Sequence, residues 1–423
     1  MPSLDHTLLV PTYQRPAMLR TLLAYVAETQ PALRVIVLDS SLAAARSVNQ
    51  TTLRAHSQFQ YCDFDPAIPF AQKLNLGMRE VSTTFVSLGA DDDLAFPAAI
   101  GKCVEHLQSR LPAAAAHGIY LGFQADEAPP HALKVRCAYR GPSYDAVKPG
   151  DRLEQLLGNY EALYYAVSRT RLAREIFAIQ AGIESLLFQE LFQAAATVLT
   201  GPAIRLPEVY CARRLEQSAG THRRRWHPAR WIQEEGPEDF RRQYLAYREQ
   251  LCAWWKKCEP DLAPELRIQL CDAYHYLYLC NELPAASARG LAQSALGFDV
   301  NAALANFDSQ LAARLREPPS PQKMTKHNLL AEWIAHFRHQ SQARWTFPGE
   351  DQPVVFHRSL PGARQDPEIA AAVKVLRSYL LRERQNVRDL ALADRPQPPN
   401  PTAPARQSTL AAPKLGKSPP AGV

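Results

Sequence analysis

The chain has 423 residues, of which 46% are hydrophobic and 21% charged, with a net charge of +6. Four of those charges (Arg395, Arg406, Lys414 and Lys417) lie in residues 395–423, a stretch with eight of the 34 prolines and no acid. The rest of the chain is close to neutral and apolar enough for a sizeable core, which argues against a disordered protein and against nucleic acid as a partner.

The eight cysteines show no Cys-x-x-Cys spacing, and none stands at zinc-finger distance from a histidine. Reduced thiols at mostly apolar positions are expected, without a structural zinc site. No basic-then-apolar leader opens the chain. Uncharged runs such as 191–204 fall short of the ~18 residues that suggest a membrane span. The expected location is the cytoplasm, with peripheral contact at the inner membrane face left open.

Residues 7–10 are an apolar run stopped by Pro11 and a polar cluster, after which Met18, Leu19, Leu22, Leu23 and Val26 recur at helical spacing. Residues 34–38 read as a continuous buried strand ending at Asp39. Such runs belong to parallel sheets covered on both faces. A third strand is expected over 58–64, a helix over 70–80 and a fourth strand over 84–88. That strand runs straight into Asp91, Asp92 and Asp93. Pro97 suits the first turn of the next helix, which turns Ile100, Val104 and Leu107 inward.

From about residue 117 the pattern changes to strands at 117–124, 133–139 and 163–168, a helix at 183–196 and a strand at 204–211. Past Pro237 the expected helices are 240–257, 262–283, 302–315 and 328–341, broken by Pro318, Pro319 and Pro321. A last helix over 367–392 precedes the proline-rich tail, which reads as disordered. Deleting 395–423 is expected to leave the melting temperature within about 1–2 °C, a small shift for a chain of this size. A larger loss in a thermal melt would show that the tail packs.

The acidic run has the most chemical content. Carboxylates two apart on an extended segment point the same way and can share one hard divalent cation. Mg²⁺ or Mn²⁺ commonly bridges such groups to substrate phosphates. The plainer reading is an acidic turn that favours the N-terminus of the following helix. Three adjacent acids after a buried strand repel one another, however, and a cation would relieve that repulsion. Asp39, at the end of the second strand, can meet a ribose hydroxyl or a base, or simply form a turn with Ser40.

The segments LLVPTYQRPAMLRTLLAYV, VIVLDSS and KLNLGMREVSTTFVSLGADDDL resemble, in order and spacing, the N-terminal half of a family 2-like glycosyltransferase with the GT-A fold. The resemblance covers about residues 7–107. That family opens with a P-T/S-Y/F-N-R-type loop and reaches a D-x-D motif after an N-x-G segment. YYAVSRT at 164–170 is similar to a bacterial subgroup. Gln14 stands for the commoner Asn, and Lys73 stands near the usual Arg.

The resemblance implies an α/β fold with a mixed, mostly parallel sheet flanked by helices, then a helical C-terminal region. It divides the chain into a nucleotide-sugar-binding half (1–115), an acceptor-side half (116–236), a helical region (237–345), a linker and terminal helix (346–394) and the tail. It implies metal-dependent, inverting transfer of a sugar from a nucleotide-diphosphate donor to a saccharide or other hydroxyl acceptor. Thr12, Tyr13 and Arg15 would line the nucleotide pocket, with Asp39 on uracil or ribose and Lys73 near the base or diphosphate. Asp91 and Asp93 would bracket the metal and diphosphate.

The family's catalytic base belongs to an E-D pair opening a helix, eleven residues before a Gly. Here Glu190 stands eleven before Gly201, with Gln189 in place of the first acid, and Glu184 is the rival. The run from His222 to Trp226 loosely resembles the Q-x-x-R-W motif of processive members, which makes His222 a candidate third metal ligand. Such a cationic, aromatic cluster can grip diphosphate oxygens. For Lys73 and Glu190 the plain alternative is an exposed helix face, and for 222–226 a basic surface loop.

Two other functions compete. A sugar-phosphate nucleotidyltransferase would want a glycine-rich, lysine-bearing loop after the first strand, and residues 11–16 contain no glycine. A non-catalytic scaffold with a degenerate domain would use the C-terminal helices and basic tail for partners.

Overall fold

The computed structural model describes residues 4–56, 58–110, 112–125, 132–215, 228–303, 307, 309–316, 354–356 and 366–393. Strand β1 (His6–Thr12) pairs in parallel with β2 (Arg34–Asp39), and β2 with β3 (Phe59–Asp63). On its other edge β1 pairs in parallel with β4 (Phe85–Leu88). Side chains alternate across a strand, and here both faces are covered. Leu8, Val10, Val35 and Val37 enter one core with Leu19, Leu22, Leu23 and Val26 of α1 (Pro16–Thr29). Leu9, Ile36 and Leu38 enter another. There they meet Leu74 and Met78 of a helix expected from the sequence.

Helix α2 (Ala43–Arg54) connects β2 to β3, and α3 (Phe70–Arg79) and α4 (Pro97–Ser109) flank β4. Pro16 and Pro97 start their helices where the missing N–H has no helical partner to lose. Gly77 brings α3 hard against the sheet. A Cβ there would lie 2.3 Å from Leu38 Cδ1.

The second half adds β5 (Leu94–Ala95), β6 (Ala115–Ala125), β7 (Leu133–Tyr139), α5 (Pro149–Gly158), β8 (Val167–Arg169), α6 (Thr170–Gln180), α7 (Leu186–Thr200) and β9 (Ala203–Arg214). Antiparallel β8 joins β4 to β6, and β9 runs parallel to β6 and antiparallel to β5. With β10 (Val354–Phe356) on the edge of β7, the order is β10-β7-β6-β8-β4-β1-β2-β3. This is the mixed, mostly parallel α/β sheet expected from the sequence.

Two strand expectations need correction. The strand expected at 163–168 starts only at Val167, because the Ala166 N–H closes a turn on the Leu163 carbonyl (3.1 Å). The strand expected to end at Cys211 continues to Arg214, since Leu94 pairs with Ala212 and Phe123 with Arg214. That extension proves important for the site.

The helical region contains α8 (Pro228–Glu235), α9 (Pro237–Cys258), α10 (Pro264–Glu282), α11 (Ala285–Leu291), α12 (Val300–Ala303) and α13 (Ser309–Arg316). Helix α9 has Glu238 and Asp239 in its first turn and Lys256 and Lys257 in its last, each complementing the helix dipole. It packs on α7, which is buried nearly all round in one aromatic core. Asp272 and His275, buried polar groups on α10, have hydrogen-bond partners. Tyr244 and Arg248 bond Asp272, and His275 lies between the Tyr247 hydroxyl (2.8 Å) and the Cys271 carbonyl (2.7 Å). Burial pushes His275 down to about 4, so it packs as a neutral ring.

The helix expected at 302–315 is described as α12 and α13. The one expected at 328–341, and the tail, lie outside the described residues. The terminal helix (Pro367–Ala393) packs back on α1: Tyr379 meets Tyr25 edge-on at 6.0 Å, and Asn386 Nδ2 donates to Thr21 Oγ1 at 2.8 Å. Among the described residues no helix is long and apolar enough to cross a membrane.

Candidate active site

The carboxyl ends of β1, β2 and β4 lie side by side, where open α/β sheets bind ligands. From β1 come Thr12 and the loop that follows it. Gln14 in that loop has φ 58°, the one left-handed non-glycine residue among those described. It fixes the loop to the next one: its N–H donates to Ser41 Oγ (2.9 Å), and its Oε1 accepts from the Leu42 N–H (3.1 Å). Asn tolerates this backbone region better than most residues, so the Gln-for-Asn departure falls on the strained position.

The acidic run after β4 is held from two sides. Asp91 is buried. It accepts from Thr12 Oγ1 at 2.6 Å and from Arg15 Nη1 at 2.9 Å, and Arg15 also reaches Asp92 at 2.7 Å. Asp93, also buried, accepts from the Arg214 N–H at 2.8 Å, and Arg213 Nε lies 3.6 Å from its other oxygen. Desolvation, reinforced by Asp92, raises both Asp91 and Asp93 to about 6 despite these cations.

Lys73 is 4% exposed, not on a solvated helix face. Its Nζ donates to Ser40 Oγ (2.9 Å) and the Thr12 carbonyl (3.2 Å), tying the first two loops together. Burial lowers it to about 8, while Asp91 and Asp39 pull the other way.

Asp39, expected to meet a base or ribose, has partners within the fold. It is fully buried, and it accepts from the Ser41 N–H (2.7 Å), Asn49 Nδ2 (2.8 Å) and the Tyr61 hydroxyl (2.9 Å). With its oxygens engaged by three internal donors, Asp39 organises the loop. Tyr13, by contrast, is half exposed. Tyr13, Arg15, Asp92 and Arg213 are at least partly exposed, whereas Thr12, Asp39, Lys73, Asp91 and Asp93 are buried around them.

Glu190 sits on α7, half-buried, and accepts from the Tyr160 hydroxyl at 3.2 Å. Gly201 ends that helix where a Cβ would lie 2.3 Å from the Pro112 carbonyl oxygen, which accounts for glycine there. Arg213 lies 3.6 Å from Asp93 and within electrostatic reach of Glu190. Its guanidinium stacks on Tyr165 (5.1 Å) and Tyr139 (5.5 Å) and donates to the Tyr139 hydroxyl at 3.1 Å. Burial alone would lower Arg213. Tyr139, Tyr165, Asp93 and Glu190 hold it well above its ordinary range. Glu184 lies elsewhere, exposed and paired with Arg242 at 2.9 Å.

Arg213 and Arg214 are the residues that sequence reasoning missed. The signal available was two arginines directly after an apolar strand, discounted because the strand was ended too early. His222 lies outside the described residues. Among the described residues no three His, Cys, Asp or Glu converge into a metal-binding group. Asp91 and Asp93 still suit a hard divalent cation: they are buried carboxylates whose charge their own neighbours only partly offset. Further ligands would come from substrate oxygens and water, as is common for Mg²⁺ and Mn²⁺.

No protein-family model matches the chain, and no curated protein sequence matches it. Among solved structures, full-length S. aureus TarS is 12% identical with a TM-score of 0.45, covering 74% of this chain and 52% of that one. The chain therefore spans about half the length of that protein. Residues 1–349 of TarS in complex with UDP-GlcNAc give 13% identity and a TM-score of 0.46, covering 82% and 95% of the two chains. A mannosyltransferase from Pyrobaculum calidifontis in complex with GDP-Man and Mn²⁺ gives 16% and 0.36, covering 89% and 87%. Likeness this remote leaves the functional assignment to the residues themselves.

Proposed function

We propose that the chain is a glycosyltransferase that moves a sugar from a nucleotide-diphosphate donor to a saccharide or other hydroxyl acceptor, with inversion and with a divalent cation at Asp91 and Asp93. One observation carries this reading: the loops after β1 and β4 and the end of β9 converge on a buried acidic run, which Thr12, Arg15 and Arg213 hold. A scaffold has no need of two carboxylates raised to about 6, whose burial is unfavourable unless something compensates it.

In this reading Tyr13 offers a ring face to the base, and Arg15 has the fork geometry that phosphate oxygens fit. The cation would supply charge neutralisation of the departing diphosphate. Arg213, 3.6 Å from Asp93, would place a second positive charge near the leaving group. Glu190 takes the proton from the acceptor hydroxyl, which general-base catalysis requires to lie within ~3 Å. The direct test is a screen of nucleotide sugars for transfer or hydrolysis, with Mn²⁺ and with a chelator. Turnover of one donor that the chelator abolishes is expected. Turnover of none would defeat the proposal.

Asp93→Asn keeps the size of the side chain but removes an anionic ligand. Nucleotide-sugar binding in Mn²⁺ should weaken about tenfold or more, matching the ~1.5–3 kcal/mol of a charge-assisted contact. The fold should survive, because the Arg214 N–H keeps an oxygen acceptor. If Asp93→Asn and Asp91→Asn both bind with unchanged metal dependence, the donor site is elsewhere.

A further inference from the structure

We infer that Glu383, on the terminal helix, is a positioning residue for the donor site and acts through Arg214; this rests on the donor-site reading above. Arg214 is the last residue of β9, and it holds the acidic run by two separate groups. Its backbone N–H donates to Asp93 Oδ1 at 2.8 Å, and its Nε donates to the Asp92 carbonyl at 3.3 Å. The same guanidinium lies over the Phe123 ring at 5.0 Å and reaches Glu383 Oε2 through Nη2 at 2.6 Å. The two side chains of that ion pair are only 6% and 10% exposed.

The charges explain why the pair matters. A buried guanidinium needs counter-charge, and besides that of Glu383 the carboxylates beside Arg214 are those of Asp92 and Asp93. With Glu383 in place, Arg214 gives its backbone N–H to the Asp93 carboxylate, its Nε to the Asp92 carbonyl and its Nη2 to Glu383. Without Glu383, the guanidinium is drawn to the Asp92 and Asp93 carboxylates, where it competes with a cation and a diphosphate.

The helix that carries Glu383 is anchored independently of Arg214. Leu376 and Leu380 are buried in the same core as Leu22 and Leu23 of α1, and Asn386 bonds Thr21. One turn before Glu383, the buried Tyr379 hydroxyl has no hydrogen-bond partner among the described residues and lies within electrostatic reach of Asp91, Asp92, Arg214 and Glu383. The terminal helix therefore forms one wall behind the donor loop.

The test uses the intact chain, titrated calorimetrically with the uridine, guanosine, adenosine and thymidine diphosphates in Mn²⁺. Glu383→Gln should weaken binding of whichever nucleotide the wild type takes by about tenfold or more, the usual effect of removing an outer partner of a metal ligand. Its melting temperature should stay close to wild type. Asn386→Ala, which loosens the same helix without touching Arg214, should lower the melting temperature and leave affinity unchanged. Should Glu383→Gln melt early, the double variant Glu383→Gln/Arg214→Gln removes the stranded charge as well, and with no guanidinium left to compete its affinity should recover towards wild type. Wild-type affinity in Glu383→Gln overturns the inference, as does affinity in the double variant no better than in Glu383→Gln, or an equal loss in Asn386→Ala. If Asp93→Asn loses binding while Glu383→Gln keeps it, only the positioning role fails. If both bind like wild type, the donor site itself has failed.

Discussion

Replacing Glu190 by Gln is expected to lower sugar transfer by about 10²–10⁴-fold, the usual contribution of a general base, and to leave nucleotide binding nearly unchanged. The substitution keeps shape and the hydrogen bond from Tyr160, which donates to Oε1 at 3.2 Å. It removes the basic lone pair. Donor binding is insulated because the donor loops belong to β1, β2 and β4, and Glu190 reaches them only through the charge of Arg213. Glu184→Gln is the control: its carboxylate is exposed and paired with Arg242, so transfer should be normal. Loss of transfer in Glu184→Gln with normal rates in Glu190→Gln would put the catalytic register six residues earlier. Normal rates in both would mean that another group activates the acceptor.

Phe188→Ala is expected to destabilise the folded chain by about 3–5 kcal/mol, the range for emptying a buried aromatic site. Phe188 is 2% exposed and is the point where α7 meets the helical region. Its ring stacks on Tyr247 at 5.0 Å and 16°, and it contacts Trp231 (5.3 Å), Phe240 (5.4 Å) and Tyr244 (5.9 Å). Four aromatic partners around one cavity leave little room for collapse, which places the cost high in that range. Phe188→Leu should cost much less, since it keeps most of the volume. Chemical denaturation reads both effects directly. A loss below about 1 kcal/mol for Phe188→Ala, no more than an average point substitution, would show that α7 and α9 are not mechanically joined there.

The sequence showed the parallel core clearly because β1 and β2 are buried on both faces, so their residues read as unbroken apolar runs. Helix α2 was invisible for the opposite reason: only Asn49 and Leu53 are buried, and no stripe repeats. The site was legible where one segment holds the chemistry, as at Asp91, Asp92 and Asp93. It was not legible where distant segments converge. Two partners of Asp39, Asn49 and Tyr61, lie ten and twenty-two residues away. Glu383 and Arg214 are separated by 169 residues, a pairing that no local pattern can announce. The plain alternative for Lys73, an exposed helix face, could not be dismissed from helical spacing alone, which does not reveal that Gly77 seats α3 against Leu38.

Direct binding is the closest test of the donor site. Calorimetric titration of the intact chain with the four nucleoside diphosphates, in Mn²⁺ and again in chelator, should show saturable, Mn²⁺-dependent binding of at least one, lost or much weakened in Asp93→Asn. Absence of binding to all four, or binding that persists unchanged in chelator and in both Asp91→Asn and Asp93→Asn, would contradict a cation-assisted nucleotide-sugar site at the ends of β1, β2 and β4.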